Sequence, residues 1–313
     1  LINPQAGRNR KRLGSFESLL SGLPHVGYRV VGHQGDLLPS LSELADQGID
    51  VLAVSGGDGT VQRVLSMLFV HRPFEKIPIL AVMHSGTTNM IAGDVGVRGT
   101  GLTGLHRLID WLSTSSPETA LVQRPLLRVS FSPDRSPVYG MFFGTAGIFQ
   151  GIQFCRRKIH AMGLRGEIGP GITLGLFLMS LLRRRGGFIE SLPIRMALDG
   201  RPPVRRTYMM LLVSTLERLF LGLYPFWSRE TGPLHVTAIE SRPKHLLPNV
   251  PRLPWGRSGR HSRPQNGYHS HNVQSVQFHF NSQFTVDGEF YSPEPRTGSV
   301  RVDCGGYASF LRI

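Results

Sequence analysis

Cysteine is nearly absent: the 313 residues contain two, Cys155 and Cys304. That excludes a disulfide-stapled scaffold and a cysteine-rich zinc module, and fits a reducing, cytoplasmic compartment. Lysine is almost as scarce. Four lysines stand against 31 arginines, and none follows a glycine, so the chain has no Walker A loop. Acidic side chains are outnumbered, 21 against 35 basic ones, for a formal net charge of +14. No apolar run reaches the roughly 18 residues that a bilayer-spanning helix needs. The longest covers 171–182, ends in Arg183-Arg184-Arg185, and reads as a buried or interfacial helix. The start Leu1-Ile2-Asn3-Pro4 is too short an apolar stretch for a signal peptide.

What is present suffices for a large core. The chain is 40% hydrophobic, which excludes global disorder, and its length favours two domains. The charge is divided unequally. Residues 1–121 hold ten basic and ten acidic side chains, so the whole +14 lies in 122–313. A basic half is suited to a polyanion such as acidic lipid, phosphorylated substrate or nucleic acid.

Apolar periodicity divides the chain at the same place. In the first part, strand runs at 28–31, 51–54 and 77–83 alternate with helical spacing at 37–47, 61–70 and 105–112. This predicts an α/β domain with an open, mostly parallel sheet over 1–121. Beyond it, runs at 126–131, 138–143, 194–198, 207–213, 234–239, 273–280, 283–286 and 300–304 read as strands. Only 154–161 and 172–184 read as helices, so a β-rich, sandwich-like domain is expected over 122–299. The stretch 248–272, rich in Pro, Gly, Arg and His, is expected to be one long exposed loop.

Three loops carry the chemistry. Gly56-Gly57-Asp58-Gly59-Thr60 directly follows a strand and opens a helix. Glycines there admit a close ligand approach, and helix N–H groups favour phosphate. Asp58 adds a carboxylate suited to Mg²⁺ or to accepting a proton. Gly86-Thr87-Thr88-Asn89 repeats the placement after the next strand, and Asn3-Pro4-Gln5-Ala6-Gly7 follows the first short strand. In open parallel sheets ligands bind at this carboxyl edge. Two other patterns are weaker. Gly99-Thr100-Gly101-Leu102-Thr103-Gly104 matches a dinucleotide fingerprint but follows no clear strand, and is read as a flexible loop. His261, His269 and His271 lack a Cys or carboxylate close in sequence and are read as solvated.

These residues, in this order, with Asp287-Gly288-Glu289 far downstream and Phe143-Gly144-Thr145-Ala146-Gly147 between, resemble the diacylglycerol kinase and sphingosine kinase catalytic-domain family, in particular its bacterial lipid kinases. The resemblance implies a first domain like those of NAD kinase and phosphofructokinase and a β-rich lipid-binding domain. It also implies that the last strand, about 300–313, packs back on the first domain. ATP would lie in the cleft between domains, contacted by Asn3, Pro4, Gly7, Gly56, Gly57, Asp58, Gly59, Thr60, Gly86, Thr87, Thr88 and Asn89. The γ-phosphoryl group would pass to a lipid hydroxyl. Asp287 or Glu289 would act as base with Asp58 organising Mg²⁺, or Asp58 itself would be the base. The pattern departs at Met90 and Arg124, where the family often has Asp, and at Thr231-Gly232-Pro233-Leu234, where some relatives hold a metal.

The Asp287-Gly288 pair also reads as an ordinary hairpin turn. The expected partners are a lipid alcohol and an anionic membrane surface, contacted peripherally, with no nucleic acid; a homodimer is left open. Arg252, Arg257, Arg260 and Arg263 with Trp255 are the residues that would meet anionic headgroups. Two other functions use the same motifs: a soluble kinase of the NAD kinase type, and a nucleotide-binding regulatory protein that has lost its acidic network.

Overall fold

The computed structural model describes residues 1–7, 9–113, 120–161 and 190–313. The apolar run 171–182 and the helix expected over 172–184 lie outside them. The chain divides into two compact units, Leu1–Arg124 with Tyr307–Ile313, and Pro125–Gly306.

The first unit is built on parallel strands. Strand β1 (Val51–Gly56) pairs with β2 (Ile79–His84) in one register from Val51 opposite Ile79 to Gly56 opposite His84. Ile2 bridges both Ser55 and Val30 in parallel, so the run expected as a strand at 28–31 contributes a single bridge. The other edge of β2 is shared. β3 (Val97–Thr100) pairs near Met83 and His84, and Phe310, close to the chain end, pairs with Leu80. Leu52, Val54, Leu80 and Val82 are buried, as strands covered on both faces require.

Five helices accompany these strands: α1 (Leu13–Leu20), α2 (Leu37–Asp46), α3 (Asp58–His71), α4 (Met90–Val95) and α5 (Leu102–Ser113). The buried face of α3 is Val61, Val64, Leu65 and Leu68, which is the expected helical spacing. One expectation is overturned here. Gly99–Gly104 is not a flexible loop but the junction from β3 to α5. Gly99 and Gly101 adopt φ of +98° and +57°, and β3 escaped notice because four residues carry too little pattern.

In the second unit, the described strand pairs within Pro125–Gly306 are antiparallel, and its first and last strands each have one end in the first unit. Its strands are β4 (Leu121–Ser130), β5 (Val138–Gly140), β6 (Phe142–Ala146), β7 (Leu192–Leu198), β8 (Val204–Ser214) and β9 (Leu234–Glu240). They continue as β10 (Tyr268–Val273), β11 (Ser275–His279), β12 (Phe284–Val286), β13 (Glu289–Tyr291) and β14 (Ser299–Leu311). Helix α6 (Gly147–Ala161) follows β6. Strand β8 is the hub. It pairs with β7 and then β6 along one edge and with β9 along the other. The core includes Phe143 stacked on Phe278, with centroids 5.5 Å apart, and Phe284 against Phe131 and Tyr291. Each such ring fully buried contributes about 1.5–3 kcal/mol.

Side-chain hydrogen bonds divide two runs read as single strands. Between β5 and β6, Met141 turns its N–H to Asp287 and its carbonyl to Ser214 and Thr215. Between β10 and β11, the N–H groups of Gln274 and Ser275 both donate to Asp199. The long loop expected at 248–272 is also corrected. It holds short helical turns at Leu253–Trp255 and Pro264–Asn266, and its end is strand β10. Leu253 and Tyr268 are buried within it, so its polar composition concealed two apolar anchors.

Candidate active site

Three loops leave the carboxyl ends of parallel segments and converge. After Ile2, the Asn3 N–H donates to the Ser55 carbonyl at 2.9 Å, and its side-chain amide donates to Thr60 Oγ1 at 2.8 Å. Near the end of β1, Ser55 Oγ lies 2.8 Å from the Oγ of Ser85, which follows β2. Asn9, buried and not singled out from the sequence, donates to the carbonyls of both Asn3 and Ser55 at 2.9 Å. A polar side chain just past the Gly7 turn was its only sequence signal.

The glycines allow this approach. A Cβ on Gly86 would lie 2.5 Å from Gly57 Cα, and one on Gly56 would lie 2.5 Å from Thr60 Cβ. Asn89 sits at φ +49°, a left-handed position that Asn tolerates better than most residues. Its side chain closes the loop in both directions. Asn89 Oδ1 accepts from the Gly86 N–H at 2.6 Å, and Nδ2 donates to the Gly86 carbonyl at 2.8 Å.

Asp58 locks two of the loops together. Its carboxylate oxygens accept the N–H groups of Met90 and Ile91 at 3.1 and 2.9 Å. So the aspartate that opens α3 caps the first turn of α4, satisfying N–H groups a helix start leaves unpaired. Burial pushes its pKa above the usual aspartate range; the Ile91 and Met90 N–H groups and nearby His84 oppose that shift. The first turn of α3 leaves the N–H groups of Gly57, Asp58 and Gly59 without an intrahelical acceptor. The structure thus brings together Asn3, Gly56, Gly57, Asp58, Gly59, Thr60, Gly86 and Asn89. Thr87, Thr88 and Gly7 are exposed at the rim, and Pro4 is partly buried beside Gly32.

Asp94, four residues past Met90, is fully buried and paired with Arg124, Nε to Oδ2 3.3 Å. Arg124, one of the departures noted in sequence, thus neutralises a buried carboxylate.

In the second unit, Val286 pairs with Glu289 across a two-residue turn, with Asp287 and Gly288 at φ +47° and +85°. These are the left-handed positions of a tight hairpin turn. Asp287 is buried, and its two carboxylate oxygens accept the Met141 and Phe142 N–H groups, each at 2.9 Å. It fastens the β12–β13 hairpin to β6. Glu289, partly exposed, follows on β13. Two of the three histidines read as solvated, His269 and His271, do have carboxylate partners, supplied by the β9–β10 pairing and the turn before it. His269 Nε2 lies 2.8 Å from Glu240, and His271 Nδ1 lies 3.0 Å from Glu230. No group of three His, Cys, Asp or Glu among the described residues is arranged to hold a metal.

The fold defines a two-unit protein whose first unit presents glycine loops at the carboxyl edge of a parallel sheet. It is shared with a crystal structure of a diacylglycerol kinase from Bacillus anthracis strain Sterne, with TM-score 0.61 and 16% identity over 100% of this chain and 95% of that one. Residues 1–116 match the diacylglycerol kinase catalytic domain. A Cronobacter sakazakii protein named "Probable lipid kinase YegS-like" is 32% identical over 97 residues, 31% of this chain and 32% of that protein. The Bacillus subtilis diacylglycerol kinase is 31% identical over 103 residues, again 31% and 32% of the two. The chain spans about a third of the length of these curated relatives.

Proposed function

We propose that this chain is an ATP-dependent lipid kinase. The observation that carries the reading is the convergence of the Asn3, Gly56–Thr60 and Gly86–Asn89 loops, locked through Asp58, within the segment that matches the kinase family. Phosphoryl transfer needs positioning and charge neutralisation more than covalent chemistry. The Gly57 and Gly59 N–H groups at the start of α3 would bind phosphate oxygens, and the glycines at 56, 57 and 86 keep side chains out of their way.

In the proposed step, a lipid hydroxyl oxygen bonds to the γ-phosphorus. The bond from that phosphorus to the β–γ bridging oxygen breaks, and ADP leaves. The hydroxyl proton passes to a carboxylate. Asp287 is held by two backbone N–H groups, which favours its role in positioning the turn. We assign proton acceptance to Glu289, a role worth roughly 10²–10⁴-fold in rate. Asp58 would help hold a magnesium ion bound mainly by nucleotide phosphates and water, since its carboxylate offers about four lone-pair sites against the backbone N–H groups of Met90, Ile91 and Asp58 itself. Such an ion supplies neutralisation of phosphate charge. The acceptor class is a diacylglycerol, a sphingoid base or a related lipid alcohol.

The test is transfer from γ-labelled ATP to a panel of lipid alcohols, with NAD as a parallel acceptor. A phosphorylated lipid supports the reading. Phosphorylated NAD in its place assigns a dinucleotide kinase, and ATP binding without any product assigns a regulatory protein.

A further inference from the structure

Between Glu240 and Asp287 the chain has no acidic residue, and 242–263 holds Arg242, Lys244, Arg252, Arg257, Arg260 and Arg263. Arg252, Arg257, Arg260 and Arg263 are exposed. None of these four makes an ion pair among the described residues. A basic stretch of this length without a single acidic residue is unusual in a folded protein, where both signs are normally interspersed.

The same region presents large apolar side chains. Leu221 is 56% exposed, Leu247 72% and Trp255 52%, three of the eight exposed large hydrophobics among the described residues. They stand on segments that are tied together. The Tyr224 N–H donates to the Pro254 carbonyl at 2.8 Å, and Gly256 is packed against the backbone of Tyr224 and Phe226. Ser262 Oγ donates to the buried Asn249 at 2.8 Å, and the His245 and His261 rings lie 4.3 Å apart. The 219–226 turn and the 245–263 segment therefore form one folded surface.

Leu221 shows that the presentation is imposed. It occupies φ +56°, ψ +20°, a left-handed conformation costly for a leucine, at the tip of a turn closed by Leu219 and Leu223. Strain of this kind persists where the surroundings enforce it, and here it holds an aliphatic side chain out in solvent.

We propose that this surface, with the exposed Leu221, Leu247 and Trp255 and the exposed Arg252, Arg257, Arg260 and Arg263, docks on an anionic phospholipid bilayer. Arginine heads at the headgroup level and apolar side chains just below it suit an interface. Aliphatic leucines have no role against phosphodiester backbones, which argues for lipid over nucleic acid. The inference extends the lipid-kinase reading but is measured without it, so either can fail alone.

The test is co-sedimentation of the full chain with phosphatidylcholine vesicles, with and without 30% phosphatidylglycerol, at 0.1 and 0.5 M NaCl. Binding is expected only to the anionic vesicles and is expected to weaken at high salt, as screening shortens to a few ångströms. Each arginine near the surface is worth about fivefold in partitioning. The variant Arg252→Gln/Arg257→Gln/Arg260→Gln/Arg263→Gln should therefore bind more than about tenfold more weakly. Leu221→Ser/Leu247→Ser should bind more weakly with an unchanged melting temperature, since both side chains are exposed in the free protein. Trp255 fluorescence should shift to the blue on anionic vesicles. Wild-type binding unchanged in both variants, or binding to an oligonucleotide but to no vesicle, overturns the proposal.

Discussion

Gly86→Ala is the sharpest perturbation of the proposed phosphate cradle. The added methyl would sit 2.5 Å from Gly57 Cα and 3.1 Å from Asn89 Oδ1. The first contact is with backbone, so no side chain can swing aside. The two loops must separate, which lengthens the 2.6 Å bond from the Gly86 N–H to Asn89 and disturbs the start of α4. Overpacking of this kind costs about 1–3 kcal/mol. At about 2–4 °C per kcal/mol for chains of 150–250 residues, the melting temperature should fall by several degrees. Nucleotide affinity should fall as well, because the N–H groups of both loops are displaced. Two controls separate space from chemistry. Gly93→Ala and Gly7→Ala would meet nothing within 4 Å. Gly93→Ala should leave both readouts intact or raise stability slightly, as helix propensity favours Ala. Gly7→Ala should leave stability alone and weaken nucleotide binding if a phosphate approaches that backbone. Thermal melts with calorimetric titration of ATP decide it. A Gly86→Ala protein that melts and binds like Gly93→Ala refutes the close-approach argument.

Three further outcomes follow from named contacts. Arg124→Leu removes an ion-pair partner of the buried Asp94 carboxylate and should destabilise the fold by more than Asp94→Leu/Arg124→Leu does; denaturant melts compare them. Asp287→Asn replaces one acceptor oxygen with a donor facing the Met141 or Phe142 N–H, at about 1–3 kcal/mol, while Glu289→Gln should lose catalytic rate. Burial outweighs the Glu240 hydrogen bond and holds the His269 imidazole below its usual pKa. The unfolded chain then takes up the proton first, so stability should decline as pH falls below about 6.5 and level off beneath the native value. His269→Gln should flatten that part of the profile in melts run from pH 8 to 5.

Apolar periodicity made the principal elements readable. The buried runs at 51–54 and 77–83 became β1 and β2, and the spacing at 61–70 became α3. What failed was short or interrupted. β3 has four residues, α4 has six, and the breaks at Met141 and Gln274 are set by Asp287 and Asp199, side chains distant in sequence. In the same way, Asp58 was readable as a carboxylate in a glycine loop, but its capping of α4 was not. That bond joins residues 32 and 33 positions apart. Asn9 was passed over because a buried polar residue looks like any loop residue until its partners are in place.

The central claim is tested most directly by following γ-labelled phosphate from ATP into the organic phase with diacylglycerol and sphingoid acceptors, wild type beside Asp58→Asn. Asn at 58 has a single acceptor oxygen for the two α4 N–H groups and no negative charge beside the phosphates. The account predicts a phosphorylated lipid from the wild type and its loss in a variant that still folds. A wild type that binds ATP yet labels no lipid, or an Asp58→Asn protein of undiminished activity, contradicts it.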